Sequence, residues 1–162
     1  MNHIKQTTFL LFTLLLIGLT TSAQELTCKD FKIGTFYIPA SDEMQKYTMT
    51  SKDSVSVITT ERDLNINRYV VIRENNNQIE WKNGIGNGEP TYAIIEWIDD
   101  CTYRLTHDAS KGELDENIKW INENNGIVIS KTKIEGKCMS YKATMTTNDG
   151  QQIAQDGIIC LE

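Results

Sequence analysis

Beyond residue 23 the chain is a succession of short runs rich in Val, Ile, Thr, Tyr and Trp, each cut off by a cluster of Asn, Gly or Asp. The runs are briefly apolar or alternate apolar with polar positions, which is the pattern of extended strands bounded by turns. Ten stand out, at residues 31–38, 47–50, 54–59, 69–74, 78–82, 92–98, 101–106, 126–134, 138–146 and 153–161. The links between them are short, so neighbours in sequence should be neighbours in space, as in a meander. Only residues 114–122 read as helical. There Leu114, Ile118 and Ile121 recur at three- and four-residue spacing behind acidic residues that suit a helix N-terminus. The class that follows is all-β with at most one short helix.

The last hairpin permits a sharper reading. Asn148-Asp149-Gly150 suits a three-residue loop with glycine in the left-handed position, which sets residue 147 opposite 151. Carrying that antiparallel register outward places 138 opposite 160, and both are cysteines. Directly opposed strand residues are close enough to bridge. This leaves Cys28 with Cys101, a bridge that ties the start of the domain to its middle. An even count of four cysteines suits two disulfides formed in an oxidising compartment. A zinc site is a weaker reading, since no Cys-x-x-Cys occurs and His107 is the only histidine past residue 23.

Residues 1–23 account for that compartment. One cation, Lys5, precedes an apolar run from Phe9 to Leu19, and the small polar stretch Thr20-Thr21-Ser22-Ala23 follows. This is the three-part pattern of a cleavable secretory signal. The apolar run is too short to cross a hydrocarbon core of about 30 Å at about 1.5 Å per residue. Cleavage after Ala23 would leave residues 24–162 as one domain, periplasmic or secreted, with no stable membrane span. Cys28 follows Glu25, Leu26 and Thr27, not the small residues a lipoprotein peptidase requires. The chain carries 22 acidic against 16 basic side chains, and the leader removes only Lys5 of them. An acidic domain of this size is a poor partner for nucleic acid and is expected to be a monomer.

Chemistry-bearing residues are few. Arg73-Glu74-Asn75-Asn76-Asn77-Gln78 closes a hairpin in which Arg73 faces Gln78 and lies diagonal to Glu80 on one sheet face. These three read either as a polar cluster that fixes a ligand in a barrel mouth or as a solvated surface group worth under about 1 kcal/mol. Trp97 and Tyr103 share the parity of a buried hairpin face and, with Trp81, Trp120 and Tyr92, could wall a cavity but read first as plain core. His107-Asp108 and Asp99-Asp100 invite acid–base and metal readings. No Gly-x-Ser-x-Gly, no cysteine–histidine pair at a recognisable spacing and no calcium loop supports them, and Asp99-Asp100 is simple turn chemistry. No cofactor or catalytic residue is expected. A hydrolase using paired carboxylates is the enzymatic alternative.

Three segments resemble a known family. Cys28-Lys-Asp-Phe-Lys-Ile-Gly-Thr-Phe36, then Arg73 with Gln78-Ile-Glu80, then Ile95-Glu-Trp97-Ile-Asp-Asp-Cys101-Thr-Tyr103-Arg-Leu105 are similar to small exported bacterial proteins without established function, often mislabelled as a DNA topoisomerase IV subunit. The Trp-x-x-Asp-Cys-x-Tyr-x-Leu segment is the most specific part, and the resemblance supports pairing Cys28 with Cys101. This chain departs from the family in residues 83–90, residues 111–125 and the Cys138/Cys160 pair. A topoisomerase role is untenable for so small and acidic a chain. The expected architecture is a lipocalin-like up-and-down barrel of eight to ten strands, with a two-sheet sandwich as the alternative. Its expected work is non-catalytic binding of a small, partly apolar ligand by Arg73, Gln78, Glu80, Trp97 and Tyr103. The alternative is a protein-interaction or inhibitor module presenting residues 83–90 and 111–125.

Overall fold

The computed structural model describes residues 25–162. The expected leader, residues 1–23, lies outside the described residues. Ten strands form: β1 Gly34–Pro39, β2 Lys46–Thr50, β3 Val55–Thr59, β4 Arg68–Glu74, β5 Asn77–Lys82, β6 Thr91–Trp97, β7 Thr102–His107, β8 Ile127–Glu135, β9 Cys138–Thr146 and β10 Gln152–Leu161. Among the described residues one α-helix, α1, spans Glu116–Glu123, and a 3₁₀ turn, Cys28–Phe31, precedes β1. All pairings are antiparallel. Eight strands close a barrel in the order β1-β4-β5-β6-β7-β8-β9-β10, with β10 returning to β1 at Phe36 opposite Leu161 and Tyr37 opposite Cys160. The sheet is continuous and shuts on itself, so the architecture is the up-and-down barrel and not the sandwich.

Meander order breaks at one place. β2 and β3 do not lie between β1 and β4 but form a hairpin that adds to the N-terminal half of β10, Met49 standing opposite Ile153. At ten residues β10 is long enough to serve two partners on one edge, β1 near its end and β2 near its start.

Both expected disulfides form, and Cys138–Cys160 does so as the register requires. Thr147 N–H donates to Gln151 O at 2.8 Å, Gly150 takes φ 86°, and the ladder runs from Thr146 opposite Gln152 to Cys138 opposite Cys160. The Cys138–Cys160 Cα atoms are 4.0 Å apart and those of Cys28–Cys101 are 5.2 Å apart.

Side chains alternate between interior and exterior along each strand. Phe31, Phe36, Val71, Met139 and Ile159 fill the end of the barrel against which the Cys28–Phe31 turn packs. Ile95, Tyr103 and Ile129 continue this core, with Leu105, Ile127 and Ala143 packed on it. Full burial of each large apolar side chain contributes about 1.5–3 kcal/mol, so this end of the barrel is the stable one.

The other end is covered, not filled. Asp115 caps α1 by accepting from Ile118 N–H at 2.9 Å. The helix stops at Asn125 and Gly126, whose φ values of 62° and 73° are left-handed, and Gly126 N–H donates to Ile121 O at 2.9 Å. A Cβ on Gly126 would lie 2.4 Å from Leu105 O, so glycine is what lets the helix exit touch β7. Asn122 then fastens α1 to the end of β7, donating to His107 O at 2.9 Å and accepting from His107 N–H at 2.8 Å.

Candidate ligand pocket

A pocket of about 540 Å³ opens at that less filled end. Its floor is the inward face of β8 to β10: Ile127, Ala143, Met145, Ile153 and Gln155. The β2–β3 hairpin supplies one wall through Tyr47, Met49 and Ile58, with Thr60 just beyond, and α1 roofs it with Asn117, Trp120 and Ile121. Each wall follows from local pattern. Tyr47 and Met49 are alternate residues of β2 and share a face, while Asn117, Trp120 and Ile121 sit at helical spacing on α1. Gln155 ties down the 3₁₀ turn Glu43–Gln45 that leads into the hairpin, its side-chain amide donating to the backbone oxygen of Met44.

The pocket is unfilled by its own walls. No residue of α1 is buried, and Trp120 and Ile58 each keep 43 % of their surface exposed. Its polar side chains are Tyr47, Thr60, Asn117 and Gln155, and none of the lining residues is Asp, Glu, Lys, Arg or His. The site can therefore enclose an apolar body and offer neutral hydrogen bonds to it.

The five residues expected to contact a ligand lie elsewhere, inside the barrel toward its packed end. Arg73 is only 2 % exposed, so the solvated surface reading is replaced by a buried one. Its Nε donates to Gln78 Oε1 at 2.9 Å, one terminal nitrogen donates to Phe31 O at 2.8 Å, and the other donates to the Tyr103 hydroxyl. The guanidinium also stands 5.5 Å from the Phe36 ring centre and 4.7 Å from that of Tyr103. Trp97 packs on Tyr103 at 5.0 Å, with Lys32 over its ring at 4.7 Å. Arg73, Gln78, Trp97 and Tyr103 are thus brought together, and none of them lines the 540 Å³ pocket.

Glu80 completes this inward face, opposite Val71 and next but one to Gln78 on β5. It makes no ion pair closer than 4.0 Å among the described residues. Although it retains some accessible surface, burial raises its carboxyl above the ordinary value, and the Arg73 charge only partly offsets that. Burial raises the Tyr103 and Tyr141 hydroxyls in the same interior. The sign of the pH effect follows. A carboxyl whose pKa is higher folded than unfolded favours the fold while protonated, and that contribution is lost as pH rises through the folded value. Glu80→Gln is expected to be more stable than the parent at neutral pH, with the difference vanishing below pH 4.5, the ordinary glutamate value. Urea midpoints of both proteins across that range check this, and equal midpoints throughout would remove the argument.

The other candidates resolve into turn chemistry. Asp99 accepts from the N–H groups of Cys101 and Thr102, both at 2.7 Å, which holds its carboxyl below the usual range. Asp108 accepts from Ser110, and His107 Nδ1 is buried without a partner. Among the described residues no three His, Cys, Asp or Glu side chains gather to hold a metal ion, and no helix is long and apolar enough to cross a membrane.

Sequence reasoning missed Tyr47, Met49, Ile58, Met145 and Ile153. Each reads as an ordinary inward strand residue, and only the unexpected pairing of β2 with β10 sets them around one space. Comparisons with protein-family models, curated proteins and solved structures returned no match.

Proposed function

We propose that this chain is an exported binding protein whose disulfide-pinned barrel holds a small, partly apolar ligand and performs no chemistry on it. One observation carries the reading: a pocket of about 540 Å³, walled by apolar side chains from five strands and a helix, that the protein does not fill itself. That volume falls in the range of about 300–1,000 Å³ usual for small-molecule sites, and such sites are mostly apolar with a few placed polar groups. Leaving apolar wall in contact with water costs about 25 cal/mol per Å², a cost that a ligand removes. A closed antiparallel barrel with one end packed and the other capped by a helix and hairpin supports a lipocalin-like reading, and two disulfides fit an oxidising compartment.

The test is native mass spectrometry of the protein purified from its export compartment, before and after denaturation. A mass that is present natively and lost on denaturation is the expected result. A bare polypeptide lighter than its reduced form only by the two disulfides would overturn the reading in favour of a module presenting residues 83–90 and 111–125.

A further inference from the structure

The lining of the pocket also constrains the charge of its occupant. We infer that the ligand is an uncharged amphiphile, an apolar body carrying a hydroxyl, carbonyl or ester, and not a carboxylate, phosphate or ammonium compound. The inference rests on the binding reading above and adds a ligand class to it.

Three observations carry it. First, none of the residues lining the site is Asp, Glu, Lys, Arg or His. An ion drawn below Trp120 and Met145 would lose its water and find no counter-charge, a cost far above that of a neutral polar group. Second, neutral hydrogen-bonding groups are present at four places: Tyr47 on β2, Thr60 beyond the hairpin, Asn117 on α1 and Gln155 on the floor. One N–H of the Gln155 amide is committed to Met44 O, which fixes the side chain and leaves its oxygen to accept from a ligand hydroxyl. Third, the charges that flank the lining in the chain, Lys46, Lys119 and Lys142 against Glu61, Glu116 and Asp156, are all exposed and balanced in sign, with Lys46 4.0 Å from Glu43 and Lys142 3.5 Å from Asp156. The rim therefore supplies no net charge to hold an ionic head group. The one buried charged side chain among the described residues, Arg73, is engaged by Gln78, Phe31 and Tyr103 and does not line the pocket.

The experiment is competition against the neutral fluorescent probe N-phenylnaphthylamine, using decanol and decanoate at neutral pH on the protein from its export compartment. The two competitors share a chain length and differ in charge. Decanol is expected to displace the probe at a concentration lower by about tenfold or more. Decanol is also the more apolar of the two, so the deciding arm is Ile58→Lys. Ile58 is 43 % exposed, so a lysine there can keep its ammonium in water in the empty protein and still fold, while placing a cation on the lining. In that variant the preference for decanol should shrink or reverse. Equal competition by decanoate in the parent, or an unchanged preference in Ile58→Lys, would overturn the neutral class while leaving a binding pocket. Failure of the probe itself to bind would overturn the binding reading and this inference with it.

Discussion

Arg73→Ala is expected to lower the unfolding free energy by about 3–5 kcal/mol, the range for removing one partner of a buried charged cluster. The reasons are local. The guanidinium satisfies the Gln78 side-chain oxygen, the Phe31 backbone oxygen and the Tyr103 hydroxyl at once, and each acceptor left unpaired in the interior costs about 1–3 kcal/mol. Alanine would also leave a void against Phe36 and Tyr103, which the guanidinium now covers. Relief from burying a cation offsets part of this, which keeps the expected loss below the sum of the three acceptors. Arg73→Lys should cost less than alanine but remain destabilising, because a point charge on a flexible stem cannot reproduce a planar fork that reaches three partners. Denaturant midpoints measured on the two variants and the parent check both statements. A loss under about 1 kcal/mol for alanine would mean that the cluster is not structural. Probe binding by the fraction that remains folded should be unchanged, since Arg73 does not line the pocket.

The same residue shows how far the sequence could be read. Its partner Gln78 follows from a two-residue turn at Asn75-Asn76, where Asn75 accepts the left-handed φ of 53°. Period-two alternation then gave the inward face and the strand boundaries to within a few residues, and the Asn148-Gly150 loop gave a register that runs unbroken to the Cys138–Cys160 bridge. Such inferences succeed because the information is local: a turn sets a register, and a register sets faces. What was not legible is non-local. Nothing in Lys46–Thr50 says that it will pair with Gln152–Ala154, about a hundred residues away in the chain, instead of with the adjacent β1. That pairing creates the pocket, so its lining could not be named. Phe31 shows the same limit from the other side. It sits in an apolar run that reads as strand, yet it belongs to a 3₁₀ turn in which Thr27 N–H donates to Asp30 and Cys28 is anchored to Cys101. A tertiary constraint there overrides the local pattern.

That anchor carries the second large effect. Replacing Cys28 and Cys101 together by serine is expected to cost about 4 kcal/mol, against about 3 kcal/mol for replacing Cys138 and Cys160, in the chain-entropy picture of a cross-link. The difference comes from loop length: the first bridge joins residues 73 apart and the second joins residues 22 apart. Position should widen the gap. Cys138 and Cys160 are held opposite each other by the β9–β10 ladder whether or not they are bonded, so losing their bridge leaves the strands in register. Cys28 has no ladder to hold it. It begins the turn that carries Phe31 into the core and presents the Phe31 oxygen to Arg73, so losing its bridge loosens the packed end of the barrel as well as lengthening the free chain. Measured by chemical denaturation, the Cys28/Cys101 variant should be the less stable of the two, and its loss should overlap with that of Arg73→Ala when the changes are combined, since both act on Phe31. A gap no wider than the ~1 kcal/mol that loop length alone sets, together with full additivity with Arg73→Ala, would show that the Cys28–Cys101 bridge acts on the unfolded chain alone.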